Sequence, residues 1–261
     1  LLSYQHAYHA GNAADMHKHA LLAWVLDYLL RKDKPLTYIE THAGRGLYDL
    51  GGAQALKTGE AAAGVGRHLA DFAPDHPYAQ VVAQVRGGWG PGFYPGSPLI
   101  AALMLRPGDR VDLAERHPAE HAALSELFDG WAQGPRVKVH AEDGFAMARR
   151  LAPPEPRRGL MLVDPSYETA ADYDGMPGFV ARIARVWNVG VLMVWYPILR
   201  DARHGAMLAA LRAAHPGALA LEARFPPARP GHGMVGSGLL VVNPPFGLEA
   251  EGARIAAVLG G

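Results

Sequence analysis

The sequence has no cysteine among its 261 residues. That excludes disulfides, thiolate nucleophiles and zinc–thiolate sites. It has no excess of either charge, with 25 Lys and Arg against 25 Asp and Glu. A surface that is basic all over is therefore excluded, and any contact with nucleic acid must rest on local clusters. No apolar run reaches the ~18 residues of a membrane span. The opening LLSYQHAYHAGN is polar and His-rich, unlike a signal peptide. A soluble, cytoplasmic protein is expected. Two nucleotide signatures are also missing. There is no G-x-x-x-x-G-K-[ST], and Gly44-Arg45-Gly46 lacks the third glycine of the dinucleotide fingerprint. A triphosphate site and an NAD-dependent enzyme are both disfavoured.

What is present is strand–helix alternation. The length suits one large α/β domain spanning 1–261. Residues 1–12 read as an irregular tail. Ala20, Leu21, Trp24, Val25, Tyr28 and Leu29 then recur at helical spacing. A buried strand, Leu36 to Glu40, breaks into Gly44 and Gly46. Residues 53–92 are rich in Ala, Gly and His and read as an inserted helical subdomain. Further strands follow in DRVDLAERHP, RVKVHAEDGF, GLMLVDPSY and VGVLMVWYP. Helical stretches such as AEHAALSELFDGWA and MPGFVARIARVWN separate them. Continuous apolar strands in this alternation predict a mostly parallel sheet covered on both faces. ALALEARFPP and GSGLLVVNPPF predict a hairpin at the sheet edge. No internal repeat stands out.

Ligands of such sheets bind outside the carboxyl ends of the strands. Glycines after the first strand, in ETHAGRG, let backbone approach a ligand or simply make a tight turn. Glu115, closing the second strand, could accept hydrogen bonds from ribose hydroxyls, or cap the helix that follows. Asp143 could meet an adenine amino group, with Gly144 leaving room for the base, or serve as a helix N-cap. Each is ambiguous alone. The weight lies in successive strands ending this way.

The fourth such end is GLMLVDPSYE. A base amine is a poor nucleophile because its lone pair is delocalised into the ring. A site that binds both amine protons frees that lone pair. The Asp164 carboxylate and the Pro165 carbonyl are two such acceptors, and the acid stabilises charge developing on nitrogen. Tyr167 could stack on a base taken out of its helix. The bland alternative is an Asp-Pro-Ser turn. Against it stands the apolar strand that delivers Asp164 to the ligand edge.

D-P-P-Y in this position resembles the motif of amino-directed, S-adenosylmethionine-dependent methyltransferases; here it reads D-P-S-Y. The wider chain resembles the ribosomal RNA large subunit methyltransferase J family through LSYQHAYHAGNAADMHKH, THAGRG, YPGSP, ERHP, EDGF, RRGLMLVDPSYE, WYP and VVNPP. The resemblance implies a class I methyltransferase fold, with a mostly parallel seven-stranded sheet and the inserted helical subdomain. It implies N6-methylation of an adenine in 23S ribosomal RNA, position 2030 in rRNA numbering, with S-adenosylmethionine as donor and no metal. By the resemblance Lys18, His19, His42, Gly44, Ser97, Glu115, Asp143, Gly144 and Asp164 bind the cofactor. Asp164 is the catalytic residue, with Pro165 and Tyr167 beside it. Tyr4 and His6, in the tail over the active site, touch the RNA. Two other readings stay open: an N6-adenine DNA methyltransferase, and a non-catalytic RNA-binding relative, which Ser166 in place of proline keeps in view. A monomer is expected.

His6, His9, His17, His19 and His42 invite a metal reading. His17 and His19 are two apart on a helix and point to different faces. The H-E-x-x-H pattern is missing, so no metal is expected. Arg224 and Arg229, around FPPARPGHG, are the best candidates for a phosphate-binding rim toward the RNA.

Overall fold

The computed structural model describes residues 6–227 and 233–260. In chain order the elements are α1 (Ala13–Leu30), β1 (Thr37–Glu40), β2 (Leu47–Asp49), α2 (Ala53–Thr58), α3 (Glu60–Ala63), α4 (Val65–His68), α5 (Pro77–Trp89), β3 (Phe93–Pro95) and α6 (Ser97–Met104). Then come β4 (Arg110–Ala114), α7 (Pro118–Phe128), β5 (Arg136–His140), α8 (Gly144–Leu151), β6 (Gly159–Val163), α9 (Ala170–Val186) and β7 (Val191–Leu199). The chain closes with α10 (His204–Ala214), β8 (Leu219–Arg224), β9 (Met234–Val242) and α11 (Leu248–Leu259).

Seven strands form one sheet in the order β5-β4-β1-β6-β7-β9-β8. β9 runs antiparallel to β7 and β8, and the remaining neighbours are parallel. This is the class I S-adenosylmethionine-dependent methyltransferase fold. The carboxyl ends of β1, β4, β5 and β6 therefore share one edge.

Alternation along the strands builds two cores. Leu160 and Leu162 of β6 face α1, α5, α6, α7 and α11, while Met161 and Val163 face α8, α9 and α10. Burial on both faces is why β6 reads as an unbroken apolar run. β5 differs, with Arg136 and Lys138 reaching outward. It is one of the two edge strands, and charge there discourages pairing with another chain.

Several boundaries differ from the sequence pattern for local reasons. α9 begins at Ala170, well before the predicted MPGF, because Thr169 and Asp172 form a capping box at its start. β5 stops at His140, leaving a short turn before Asp143. Residues 53–89 hold α2 to α5, and the two-stranded pair β2–β3 brackets them. Neither that pair nor α6 shows in the hydrophobic periodicity, because three-residue strands and a helix buried nearly all round carry little of it. Among the described residues no helix is long and apolar enough to cross a membrane.

Candidate active site at the carboxyl edge of the sheet

A cavity of about 700 Å³ opens at the carboxyl ends of β1, β4, β5 and β6. α1 forms one wall of it. Asn12 caps that helix by accepting from the Asp15 N–H at 2.9 Å. The first turn thereby presents Asp15 and Lys18 together. Lys18 Nζ lies 2.7 Å from Asp164 Oδ2 and 3.1 Å from Asp15 Oδ1. Asp15 is buried and also takes hydrogen bonds from His6 Nε2 at 2.8 Å and Gly11 N–H at 3.0 Å. Burial pushes the Asp15 carboxyl up, but His6, Lys18 and His19 together pull it well below the usual carboxylate range. His6 is thus fastened to the cavity mouth through Asp15.

Asp164 follows β6 directly, and Pro165 and Tyr167 share its stretch of wall. Tyr167 adopts φ +51°, a conformation costly for a bulky residue. Its ring is buried against Tyr173 and its hydroxyl donates to the Trp195 carbonyl at 2.7 Å. Burial, reinforced by the Asp164 charge, holds the phenol well above its usual range, so it remains a neutral donor. The Trp195 indole N–H bonds Ser237 Oγ at 2.9 Å, and His17 Nδ1 lies 3.0 Å from the same oxygen. Lys18 Nζ sits 5.7 Å from the Trp195 ring centroid.

Glu115 lies just past β4. Its Oε2 accepts from Gly44 N–H at 2.8 Å and its Oε1 from His117 N–H at 2.7 Å. It therefore ties the residue before α7 to the glycine turn, with a lone pair left on each oxygen. Gly44 has φ +62°, and a Cβ there would meet Tyr48 Oη at 2.5 Å. Asp143 is the N-cap of α8, accepting from Ala146 N–H at 2.8 Å. At Gly144 the chain itself comes close: a Cβ would lie 1.8 Å from the Thr41 carbonyl oxygen, so the helix–strand contact requires a glycine whatever binds beside it. Ser97 opens α6, and its hydroxyl lies 2.5 Å from Glu40 Oε1.

The cavity wall thus includes His6, Lys18, His19, His42, Gly44, Ser97, Glu115, Asp143, Gly144, Asp164, Pro165 and Tyr167. His42 packs edge-on to Phe145, with ring centroids 5.1 Å apart. His19 turns Nδ1 to Tyr94 Oη at 2.9 Å, and burial lowers it to about 3, so it is neutral. Arg224 is exposed at the end of β8 and stands off this wall. Tyr4 and Arg229 lie outside the described residues. Sequence reasoning missed Asp15, Glu40 and Trp195. Asp15 had a signal, three residues before Lys18 on one helix face. Glu40 and Trp195 had none, since their roles depend on partners far along the chain.

An acid past β4, an acid past β5 and a glycine turn after β1 are a donor–acceptor set suited to an adenosine-containing ligand. His117, on the same wall, has its Nδ1 buried without a hydrogen-bond partner among the described residues.

The family profile described as "Ribosomal RNA large subunit methyltransferase D, RlmJ" matches residues 33–260. A protein of Escherichia coli (strain K12) named "Ribosomal RNA large subunit methyltransferase J" is 37% identical over 255 residues, covering 96% of this chain and 90% of that one. Its namesake in Haemophilus influenzae is 35% identical over 264 residues, covering 99% and 93%. A crystal structure of a Legionella pneumophila protein superposes with TM-score 0.86 at 34% identity, covering 96% of this chain and 92% of that one.

Proposed function

This chain belongs to the ribosomal RNA large subunit methyltransferase J family, and from that premise we propose that it transfers a methyl group from S-adenosylmethionine to N6 of an adenine in 23S ribosomal RNA, position 2030 in rRNA numbering. Its curated relatives carry large-subunit rRNA methylation in their names. The observation that carries the chemistry is Asp164, placed by β6 on the wall of a cavity whose other acids suit an adenosine.

Gly44, Glu115, Asp143 and Gly144 hold the adenosine end of the cofactor in this reading, with Lys18, His19, His42, Ser97 and Asp164 along the rest of it. Bound there, S-adenosylmethionine supplies an electrophilic methyl group. Everything else is the protein's work. The target adenine is unstacked from the RNA and enters beside Pro165. Asp164 accepts a hydrogen bond from one N6–H and the Pro165 carbonyl from the other, which returns the lone pair to nitrogen and aims it in line. The Asp164 charge stabilises the cation as it develops, and the methylated nitrogen then gives up one proton to Asp164 and on to solvent. Lys18 moves off Asp164 as the amine takes that oxygen. Tyr167, tied to Trp195, keeps the loop in its strained shape, and in this reading its ring stacks on the base. Tyr4, His6, Arg224 and Arg229 contact the RNA around it.

The test is Asp164→Ala, assayed with 23S rRNA from a strain lacking the gene. Methyl transfer is expected to vanish while S-adenosylhomocysteine still binds by calorimetry. Full activity in the variant would overturn the assignment. Mass spectrometry of the same rRNA before and after treatment identifies the modified nucleotide.

A further inference from the structure

Glu40 is the last residue of β1 and is wholly buried. Its two oxygens have different partners. Tyr38 Oη donates to Oε2 at 2.8 Å, and Ser97 Oγ lies 2.5 Å from Oε1. Tyr38 is itself fully buried, and burial, then the nearby Glu40, push its phenol well above the usual range. It stays protonated, and because Glu40 Oε2 is the one acceptor its hydroxyl has among the described residues, Oε2 remains an acceptor. Any proton on the carboxyl must sit on Oε1, facing Ser97.

Ser97 is the link to the cavity. Its side chain is nearly buried, yet it forms part of the wall. A serine hydroxyl has one hydrogen and two lone pairs. If Glu40 is ionised, the Ser97 hydrogen is drawn to Oε1 and the cavity meets lone pairs only. If Glu40 carries its proton, it donates to Ser97 Oγ, and the serine hydrogen is free to turn toward the cavity.

We propose that the Glu40 proton sets the polarity of Ser97, turning that hydroxyl into a donor for the carboxylate at the amino-acid end of the bound cofactor. The proposal rests on the cofactor reading above. A carboxylate needs a donor and is repelled by an ionised acid behind it, so one proton serves both needs. Burial pushes the Glu40 carboxyl up to about 8, against the pull of the Ser97 and Tyr38 hydroxyls and of Lys18. The charge of Asp164 adds to the rise. Those are the groups facing it, from β1, α6, α1 and the loop after β6. The proton is thus in place at neutral pH and leaves above it. Glu40 is a positioning residue, acting through Ser97.

The experiment is calorimetric titration of S-adenosylhomocysteine into the full chain and its Glu40→Gln and Ser97→Ala variants at pH 7 and pH 9. The readout is each protein's own ratio of affinities at the two pH values. The ligand's amine titrates in this window, but equally for all three proteins. In Glu40→Gln, Tyr38 fixes the amide oxygen, so the amide N–H₂ faces Ser97 at both pH values. The wild-type ratio should exceed that of Glu40→Gln by about tenfold, the change in protonated fraction across a pKa near 8. Ser97→Ala, with no hydroxyl to orient, keeps only the charge repulsion and should fall between the two. Equal ratios in all three proteins, or a wild-type affinity that rises with pH relative to the variants, would overturn the proposal and leave the cofactor reading standing. No binding in any protein would overturn both.

Discussion

Lys18 Nζ stands 2.7 Å from Asp164 Oδ2, bridging the end of β6 to the first turns of α1 across 146 residues of sequence. The same ammonium holds Asp15 at 3.1 Å. The acid proposed to receive the target amine is therefore already engaged by a cation, which fixes its rotamer and must yield as substrate enters. Lys18→Met removes that counter-charge and leaves the buried Asp15 and the half-buried Asp164 without it. We expect methyl transfer to fall roughly 10²-fold or more, the scale of losing one preorganised charge partner. Lys18→Arg should recover part of the rate. Single-turnover assays on 23S rRNA at saturating cofactor measure both.

The parts of this architecture written locally were legible in the sequence. β6 announced itself as an apolar run ending in Asp164, and the acids after β4 and β5 fell where strand–helix alternation put them. The parts that depend on distant partners were not. Asp143 turned out to be a helix cap, which uses only part of a carboxylate's accepting capacity, while Glu115 bonds the Gly44 and His117 amides instead of capping α7. Gly144 answers to Thr41, a hundred residues earlier, and Glu40 answers to Ser97 on a helix that periodicity did not reveal. Tertiary approach of that kind leaves no trace in spacing.

Tyr167 offers a test of how the loop is held. Its hydroxyl bond to the Trp195 carbonyl is what secures a residue at φ +51°. Tyr167→Phe keeps the ring and loses the tether. The cost in global stability should be about 1 kcal/mol, typical of one buried hydrogen bond. The rate should fall further than that stability change suggests, since Asp164 and Pro165 lie on the same loop, while cofactor affinity stays within a small factor. Urea unfolding together with kcat and cofactor Kd separates these outcomes. A variant with unchanged kcat would show that the tether serves stability alone.

Gly144 is the tightest point of the helix–strand packing. An added Cβ would lie 1.8 Å from Thr41 O, and backbone cannot swing aside as a side-chain end can. Gly144→Ala should therefore cost about 3 kcal/mol or more, at the upper end of overpacking effects. Because α8 starts at this residue and Asp143 caps it, the shift should also carry Asp143 off the cavity wall. Thermal unfolding and cofactor titration should both report the loss. A stable protein with normal affinity would contradict the close approach of Thr41.

Stability itself should pass through a maximum near pH 6.5. Burial lowers His17 and His19 to about 3 from a usual 6.5, and His42 is lowered as well. Unfolding exposes these rings to protonation, so their contribution is complete above pH 6.5 and is lost as pH falls toward 3. Glu40 acts in the opposite sense. Its folded value of about 8 lies above the usual 4.5, so its contribution is complete below pH 4.5 and is lost as pH rises through 8. Between 4.5 and 6.5 the histidines outweigh the single acid, and stability climbs with pH. Between 6.5 and 8 Glu40 is left alone, and stability should drop by about 1–2 kcal/mol. Glu40→Gln cannot titrate and should show no such drop, while keeping the acid-side rise. Urea midpoints of both proteins at pH 5, 6.5 and 8 measure the two slopes. A wild-type alkaline slope that persists in Glu40→Gln would place the responsible proton elsewhere.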